Sequence, residues 1–289
     1  MNLAAKDLFR FRGYTEDDIG SPEKIKRIET EIEQASKGQV WHSPLSDQND
    51  PFDTHPRFVR STDADLKRLR KRLNEELGSY FSFSGKDLRS DGAKLGVKPS
   101  VIRKNLQNTK LLAETIEQAY KEHRKQKICC FCETWKTPLL WSYYANAHRS
   151  FCYWFQVDDE NRLLARTKIG KIKYVETRPR LTTLDLANNM LAAAHPELFP
   201  LSPDDDERIQ DATVMTKSSH WKHEREWRSV KLPSEENGFH SITPYHLAGI
   251  IFGARASDTF IEGICELAHG VPKMYCKLSE ENYDLELMY

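Results

Sequence analysis

The amino-acid sequence predicts an α+β protein: a small central sheet, mixed or antiparallel, flanked by helices and carrying a helical insertion. Three observations predict this class. Short β-branched and aromatic runs are interleaved with amphipathic stretches, without the regular strand–helix alternation of a doubly wound sheet. The 289 residues, 39% apolar and 30% charged, can bury a sizeable core and fit a single domain over 1–289. Residues 61–127 turn basic and helical between loop-like ends, as an insertion would.

Residues 7–14, DLFRFRGY, alternate apolar and basic side chains and predict a strand with Arg10 and Arg12 on one face. Residues 21–35 open with Ser21 as cap and Pro22 at the first helical position, then place Ile25, Ile28 and Ile32 on one stripe. A helix is expected there, stopped by Gly38. QVWHS at 39–43 reads as a short strand leading to the turn Asn49-Asp50-Pro51. Within the insertion, KRLRKRL at 67–73 and an amphipathic pattern through Ile102, Leu106, Ala113, Ile116 and Tyr120 predict helices around a loop. Residues 128–132 read as a buried strand, 139–147 as a helix after Pro138, and 151–157 as another strand. Further strands are expected at 171–176, 226–232 and 247–252, with a helix at 181–194. Pro196, Pro200 and Pro203 with Asp204, Asp205 and Asp206 mark a turn-rich, acidic surface loop.

Charge and cysteine usage narrow the class. The 43 basic and 43 acidic residues cancel, so no global field draws the chain to nucleic acid or to an anionic membrane. Steering must be local, and the basic insertion keeps a nucleic-acid or other phosphate-rich partner open. The opening MNLAAKDLFRFRGY has no apolar run of signal-peptide length, and the apolar stretch at 247–252 is far too short to span a bilayer. Cys129, Cys130, Cys132, Cys152, Cys265 and Cys276 form no secreted disulfide framework. A cytoplasmic location without membrane contact is expected.

The densest chemistry lies in TKSSHWKHEREWR at 216–228. On a strand, Glu224 and Glu226 share one face and Arg225 and Trp227 the other. Two carboxylates held that close repel, and one takes a raised pKa unless cations compensate, as happens where protons move or cationic intermediates form. The plainer alternative is a strand end whose acids pair with Arg225, Arg228 and Lys222. In NDPFD at 49–53, Asn49 and Asp50 favour a structural turn; alternatively the loop lines a pocket, with Trp41 or Phe52 as a stacking wall. Cys130 and Cys132 share a strand face and, with His148 and Cys152, could make four zinc ligands, but no paired C-x-x-C supports them and no metal is expected. A metal-dependent hydrolase using His42, Asp50, His55 and Glu224 is a further alternative. In WSYYANAHRSFCYWF at 141–155, core packing accounts for Tyr144, Phe151, Trp154 and Phe155, while His148 and Arg149 suit a helix C-terminus.

The ordered set FRFR (9–12), SPLSDQNDPFD (43–53), CFCE (130–133), PLLWSYYANAHRSFC (138–152), TKSSHWKHEREWR (216–228) and GIIFG (249–253) resembles a widespread bacterial family known only as a domain of unknown function. The resemblance covers nearly the whole chain except the insertion. It departs at Ser150, where the family often has Gly, and at Cys130 and Cys132, where Ser is frequent. The chain also resembles the ADP-ribosyltransferase superfamily, in the order of an Arg or His on a first strand, a Ser-x-Ser strand and a late Glu-x-Glu. Here these positions fall on Arg10 or Arg12, on Cys130-Phe131-Cys132 and on Glu224-Arg225-Glu226.

That second resemblance implies NAD as substrate and a macromolecular acceptor. Glu226 would stabilise the positive charge that develops on the ribose as the nicotinamide bond breaks, and Glu224 would accept a proton from the incoming nucleophile. Arg10 or Arg12 would hold the phosphates, Tyr143 or Trp41 would stack on nicotinamide, and Asn49 and Asp50 would line the pocket. Cys132 is a weak hydrogen-bond donor, so Thr134 or Ser142 would supply the missing hydroxyl. The expectation is therefore an ADP-ribosyltransferase-like enzyme. The alternative is a non-catalytic binding or defence-associated effector protein whose Glu/Arg cluster is structural and whose basic insertion docks a partner.

Overall fold

A computed structural model describes residues 4–59, 124–165, 169–182, 203–231 and 238–288, together with a few isolated positions between them. The chain divides into two compact units, one built from residues 1–49, 126–175 and 217–289, the other from 50–125 and 176–216. Apart from residues 62, 64, 121 and 124–127, the predicted insertion lies outside the described residues.

Strands numbered along the chain place β1 (Asp7–Arg12), β2 (Gln39–Pro44), β4 (Lys127–Cys132), β5 (Phe151–Gln156), β6 (Ile169–Lys171) and β7 (Lys173–Val175) in the first unit. The same unit continues with β9 (Thr216–Ser218), β10 (Glu226–Lys231), β11 (Gly238–Ser241), β12 (His246–Phe252), β13 (Lys273–Leu278) and β14 (Leu285–Met288). Among the described residues, ten of these make one sheet in the order β11-β2-β4-β1-β5-β12-β13-β14, with β10 pairing β4 and β6. The sheet is mixed, because β12 and β13 run parallel while its other registered pairs are antiparallel. A parallel pair needs a crossover, and the helix Asp258–Leu267 supplies it. β7 and β9 form a separate ribbon.

Period-two alternation sends the strands' side chains into two cores. On one face Leu8, Phe131, Tyr153, Phe155 and Trp227 pack under the helices Pro22–Ser36 and Asp258–Leu267, which contribute Ile28, Ile32, Phe260 and Ile264. On the other face Phe9, Cys132, Cys152 and Ile251 pack under Leu140 and Trp141 of the helix Pro138–Tyr144. The α+β class and the flanking helices thus follow the sequence pattern. No helix of the described residues is long and apolar enough to cross a membrane.

Several local expectations change. The helix predicted over 139–147 ends at Tyr144, because Asn146, Ala147 and His148 turn left-handed with φ of 49°, 53° and 67°. The strand expected over 171–176 is split into β6 and β7 around Ile172, whose N–H donates to the Glu226 carbonyl. In the second unit, β3 (Arg57–Val59) pairs parallel with β8 (Arg180–Thr182). Leu181 and Thr182 are therefore strand, not the start of the helix predicted over 181–194, most of which lies outside the described residues. Of the predicted acidic loop, residues 203–206 instead open the helix Pro203–Thr213, while 196–202 lie outside the described residues. Proline fits a helix's first position, and Asp204 and Asp205 complement its N-terminal dipole. Ile209 and Ala212 of that helix pack on Leu181 in a small core.

Candidate functional site

The site is assembled by the segment 216–228 folding back on itself. β9 carries Lys217 within the ribbon; a 3-10 turn, Ser219–Glu224, follows, with the Ser218 hydroxyl accepting from the His220 N–H at 3.4 Å. Arg225 then adopts a left-handed conformation, φ 45° and ψ 51°, and Glu226 opens β10. Glu224 and Glu226 are therefore not alternate residues of one strand. The left-handed residue between them turns the chain, yet both carboxylates reach the same ammonium group.

Lys217 Nζ donates to Glu224 Oε2 at 2.5 Å and to Glu226 Oε2 at 3.0 Å. Arg228, two residues along the strand from Glu226, grips it in a fork: Nε donates to Oε1 at 2.5 Å and Nη2 to Oε2 at 3.1 Å. The Tyr144 hydroxyl donates to Glu224 Oε1 at 2.8 Å and accepts from Asn49 Nδ2 at 3.4 Å. The Tyr174 hydroxyl accepts from the Glu226 N–H at 2.8 Å. All four charged groups are buried, with exposures of 7% for Lys217, 5% for Glu224, 3% for Glu226 and 1% for Arg228. Two anions meet two cations, and all four carboxylate oxygens accept a hydrogen bond.

Burial alone pushes the Glu226 carboxyl up, but the Arg228 and Lys217 charges overcome it and hold the group down at about 2, with help from the Cys130 thiol. Burial also pushes the Cys130 thiol well up, reinforced by the Glu226 charge. The Tyr144 hydroxyl is raised by burial and, after the opposing Asn49 bond, by the Glu224 charge. Glu226 is thus a fixed anion rather than a group that exchanges protons. At the rim, Lys217 Nζ sits 5.2 Å from the centre of the Trp221 ring, which meets the Tyr143 ring edge-on at 6.4 Å. Tyr143 is 58% exposed.

Residues 140–229 match a family described as a protein of unknown function, DUF2971. The DUF2971 match contains Tyr143, Tyr144, Tyr174, Lys217, Trp221, Glu224, Glu226 and Arg228, the whole charged cluster and its aromatic rim. Arg10, Arg12, Trp41 and Asn49 lie outside it. Comparison with curated proteins and with solved structures gave no match.

Of the residues picked from sequence, Glu224, Glu226, Asn49 and Tyr143 gather at this cluster. Cys132 stands across from Glu226 on the neighbouring strand, and Thr134 follows two residues later. Cys132 is buried, its thiol donating to the carbonyls of Phe9 at 3.3 Å and Thr134 at 3.4 Å, while the Thr134 hydroxyl accepts from the Lys136 N–H at 3.1 Å. Arg10 and Arg12 are not brought to Glu226. Cys132 is the register partner of both Phe9 and Glu226, so these three share one face of the sheet and Arg10 and Arg12 take the other. Arg12 donates there to Glu31 Oε2 at 2.7 Å and to the Tyr14 hydroxyl at 2.9 Å. Trp41 packs edge-on against Phe239 of β11, with ring centres 5.4 Å apart. Asp50 belongs to the second unit, where its Oδ1 accepts from the Phe52 N–H at 2.8 Å in the predicted turn.

The partners expected for the two acids were Arg225, Arg228 and Lys222; the partners found are Arg228 and Lys217. Lys217, Tyr144, Tyr174 and Trp221 escaped the sequence reading as site residues. The signal was present in part, since Lys217 stands in the same motif as both acids, but only a tight turn brings it back to them. Among the metal-ligand candidates, His42 is buried on the face opposite Glu226: its Nδ1–H donates to Val40 O at 2.9 Å and its Nε2 accepts from Ser229 Oγ at 2.9 Å. His148 stacks on Trp141, with ring centres 6.0 Å apart. Among the described residues no group of three or more His, Cys, Asp or Glu is arranged to hold a metal ion.

Proposed function

We propose that this chain is a non-catalytic binding protein in which Glu224, Lys217, Glu226 and Arg228 form a structural lock. The observation that carries this reading is the occupancy of both carboxylates, each buried and hydrogen-bonded at both oxygens to groups of its own fold. A carboxylate acting on a substrate must present an oxygen to it, and these present theirs to Lys217, Arg228 and Tyr144. The lock fixes the start of β10 and the turn before it. Partner binding then falls to the segment 61–127, whose 16 basic against 9 acidic side chains give a positive stretch in a neutral chain. The partner is an anionic macromolecule, with nucleic acid the first to try. Fluorescence anisotropy with labelled single- and double-stranded oligonucleotides tests this: affinity should fall steeply between 50 and 200 mM salt and weaken on Lys-to-Glu changes within 67–73. Absence of binding at low salt would remove nucleic acid as the partner.

A second reading keeps ADP-ribosyltransferase-like chemistry, with NAD as substrate and ADP-ribose passed to a macromolecular acceptor. One observation favours it: Glu226, in the Glu-x-Glu position, is held ionised at about 2, as a group stabilising a cationic ribose must be. On this reading Glu224 takes the acceptor's proton, Lys217 moves off both acids, and groups other than Arg10 and Arg12 hold the phosphates. Released nicotinamide, assayed after incubation with NAD, decides between the two readings.

A further inference from the structure

On the face opposite the charged lock, β1 and β5 meet the helix Pro22–Ser36 around a second polar cluster. Arg12 Nη2 donates to Glu31 Oε2, which also accepts from the Tyr14 hydroxyl at 2.5 Å. Two further polar atoms of this group, Arg12 Nε and Glu31 Oε1, are buried and have no hydrogen-bond partner among the described residues. The Tyr153 hydroxyl is in the same position, on a side chain 1% exposed. Tyr153 stands directly across from Arg10 on the neighbouring strand and so diagonally next to Arg12 on the same face. The charges of Glu31 and Arg12 both act on its hydroxyl.

Three buried polar atoms without a partner, on side chains that share one face of the sheet, are rare in a folded protein, because each loses its hydration without replacement. Their chemistry is complementary through a third party. Arg12 Nε–H can only donate, Glu31 Oε1 can only accept, and the Tyr153 hydroxyl can do either. An anion there would face the Glu31 carboxylate, and a cation would face the Arg12 guanidinium. The group that fits is small, neutral and both donor and acceptor. We propose that one ordered water molecule is bound here, accepting from Arg12 Nε, donating to Glu31 Oε1 and bonding the Tyr153 hydroxyl, so that it ties the sheet to the helix. This site is independent of the Glu224–Glu226 cluster and of the function assigned to it.

The sign of one substitution tests it. If the water is bound, Tyr153→Phe removes a real hydrogen bond and leaves the water one partner short, and the melting temperature should fall by roughly 2–4 °C. If the hydroxyl is truly orphaned, removing it relieves a buried unpaired group, and an unchanged or higher melting temperature would overturn the proposal. A crystal structure of the unsubstituted chain gives the second measurement. A single water peak within hydrogen-bond distance of all three atoms is expected; an empty position, or density too large for one water, would also overturn it.

Discussion

Two buried residues on opposite faces of the sheet set how single side chains respond to acid. Glu226 ordinarily titrates near 4.5 and is held down at about 2 in the fold, so its contribution is complete above about 4.5 and is lost as the pH falls towards 2. His42 ordinarily titrates near 6.5 and is lowered to about 3, chiefly by burial against a smaller opposing effect of its bond to Val40. It must stay neutral in the fold while the unfolded chain accepts a proton, so its contribution is complete above about 6.5 and is lost as the pH falls towards 3. Stability should therefore begin to fall below about pH 6.5, by up to about 1.4 kcal/mol per pH unit from His42 alone, and fall faster below about pH 4.5. His42→Gln, compared with the unsubstituted chain by urea unfolding at pH 7 and pH 5, should flatten the loss between those values. An unchanged slope would show that His42 is not buried neutral. At this scale Glu224 and Glu226 were legible, since their residue type and spacing are unusual. Lys217 was not, because nothing in linear order announces that a 3-10 turn and a left-handed arginine return it to both acids.

At the scale of elements, alternation and caps located β1, β2, β4, β5, β10, β12 and the helix Pro22–Ser36 within a few residues. The helix Asp258–Leu267, capped by Ser257, is absent from the sequence-based expectations, and Gly263 in its middle lowers its helix propensity. The glycine is explained by packing: a Cβ there would meet the Ile19 side chain at 2.5 Å. Gly253, at the end of β12, has a stricter reason. A Cβ at this position would lie 2.3 Å from the His148 carbonyl oxygen, in the left-handed turn whose carbonyls at Ser150 and His148 accept from Gly253 and Arg255. Neither partner is a side chain that can swing away. Gly253→Ala should thus displace the turn and destabilise by about 1–3 kcal/mol in urea unfolding, as overpacking does. Gly270→Ala is the comparison: its φ of +76° is strained for alanine, but among the described residues no atom beyond its chain neighbours lies within 4 Å of the added Cβ, and only about 1 kcal/mol should be lost. Equal effects of the two would place the constraint in conformation rather than in contact.

For the whole molecule, the decisive feature is the register of the ten-stranded sheet. Motif order along the chain put Arg10, Arg12, Cys132 and Glu226 in one imagined pocket, and order carries no information about faces. Pairing of Phe9 and Glu226 with the same residue, Cys132, sends the arginines to the far side. The α+β class was legible because it depends on local periodicity; the separation of the candidate residues was not, because it depends on which strands pair. The account's central claim is that the four buried charges hold the fold together. Breaking a buried pair from one side leaves an uncompensated charge, at about 3–5 kcal/mol, whereas losing a catalytic carboxylate leaves stability intact. Melting temperature and nicotinamide release from NAD, measured on Glu226→Gln beside the unsubstituted chain, test this most directly. The account predicts no release above buffer by either protein and a melting temperature lowered by roughly 6 °C or more in the variant. Release by the unsubstituted chain that the variant loses, with no change in melting temperature, would contradict it.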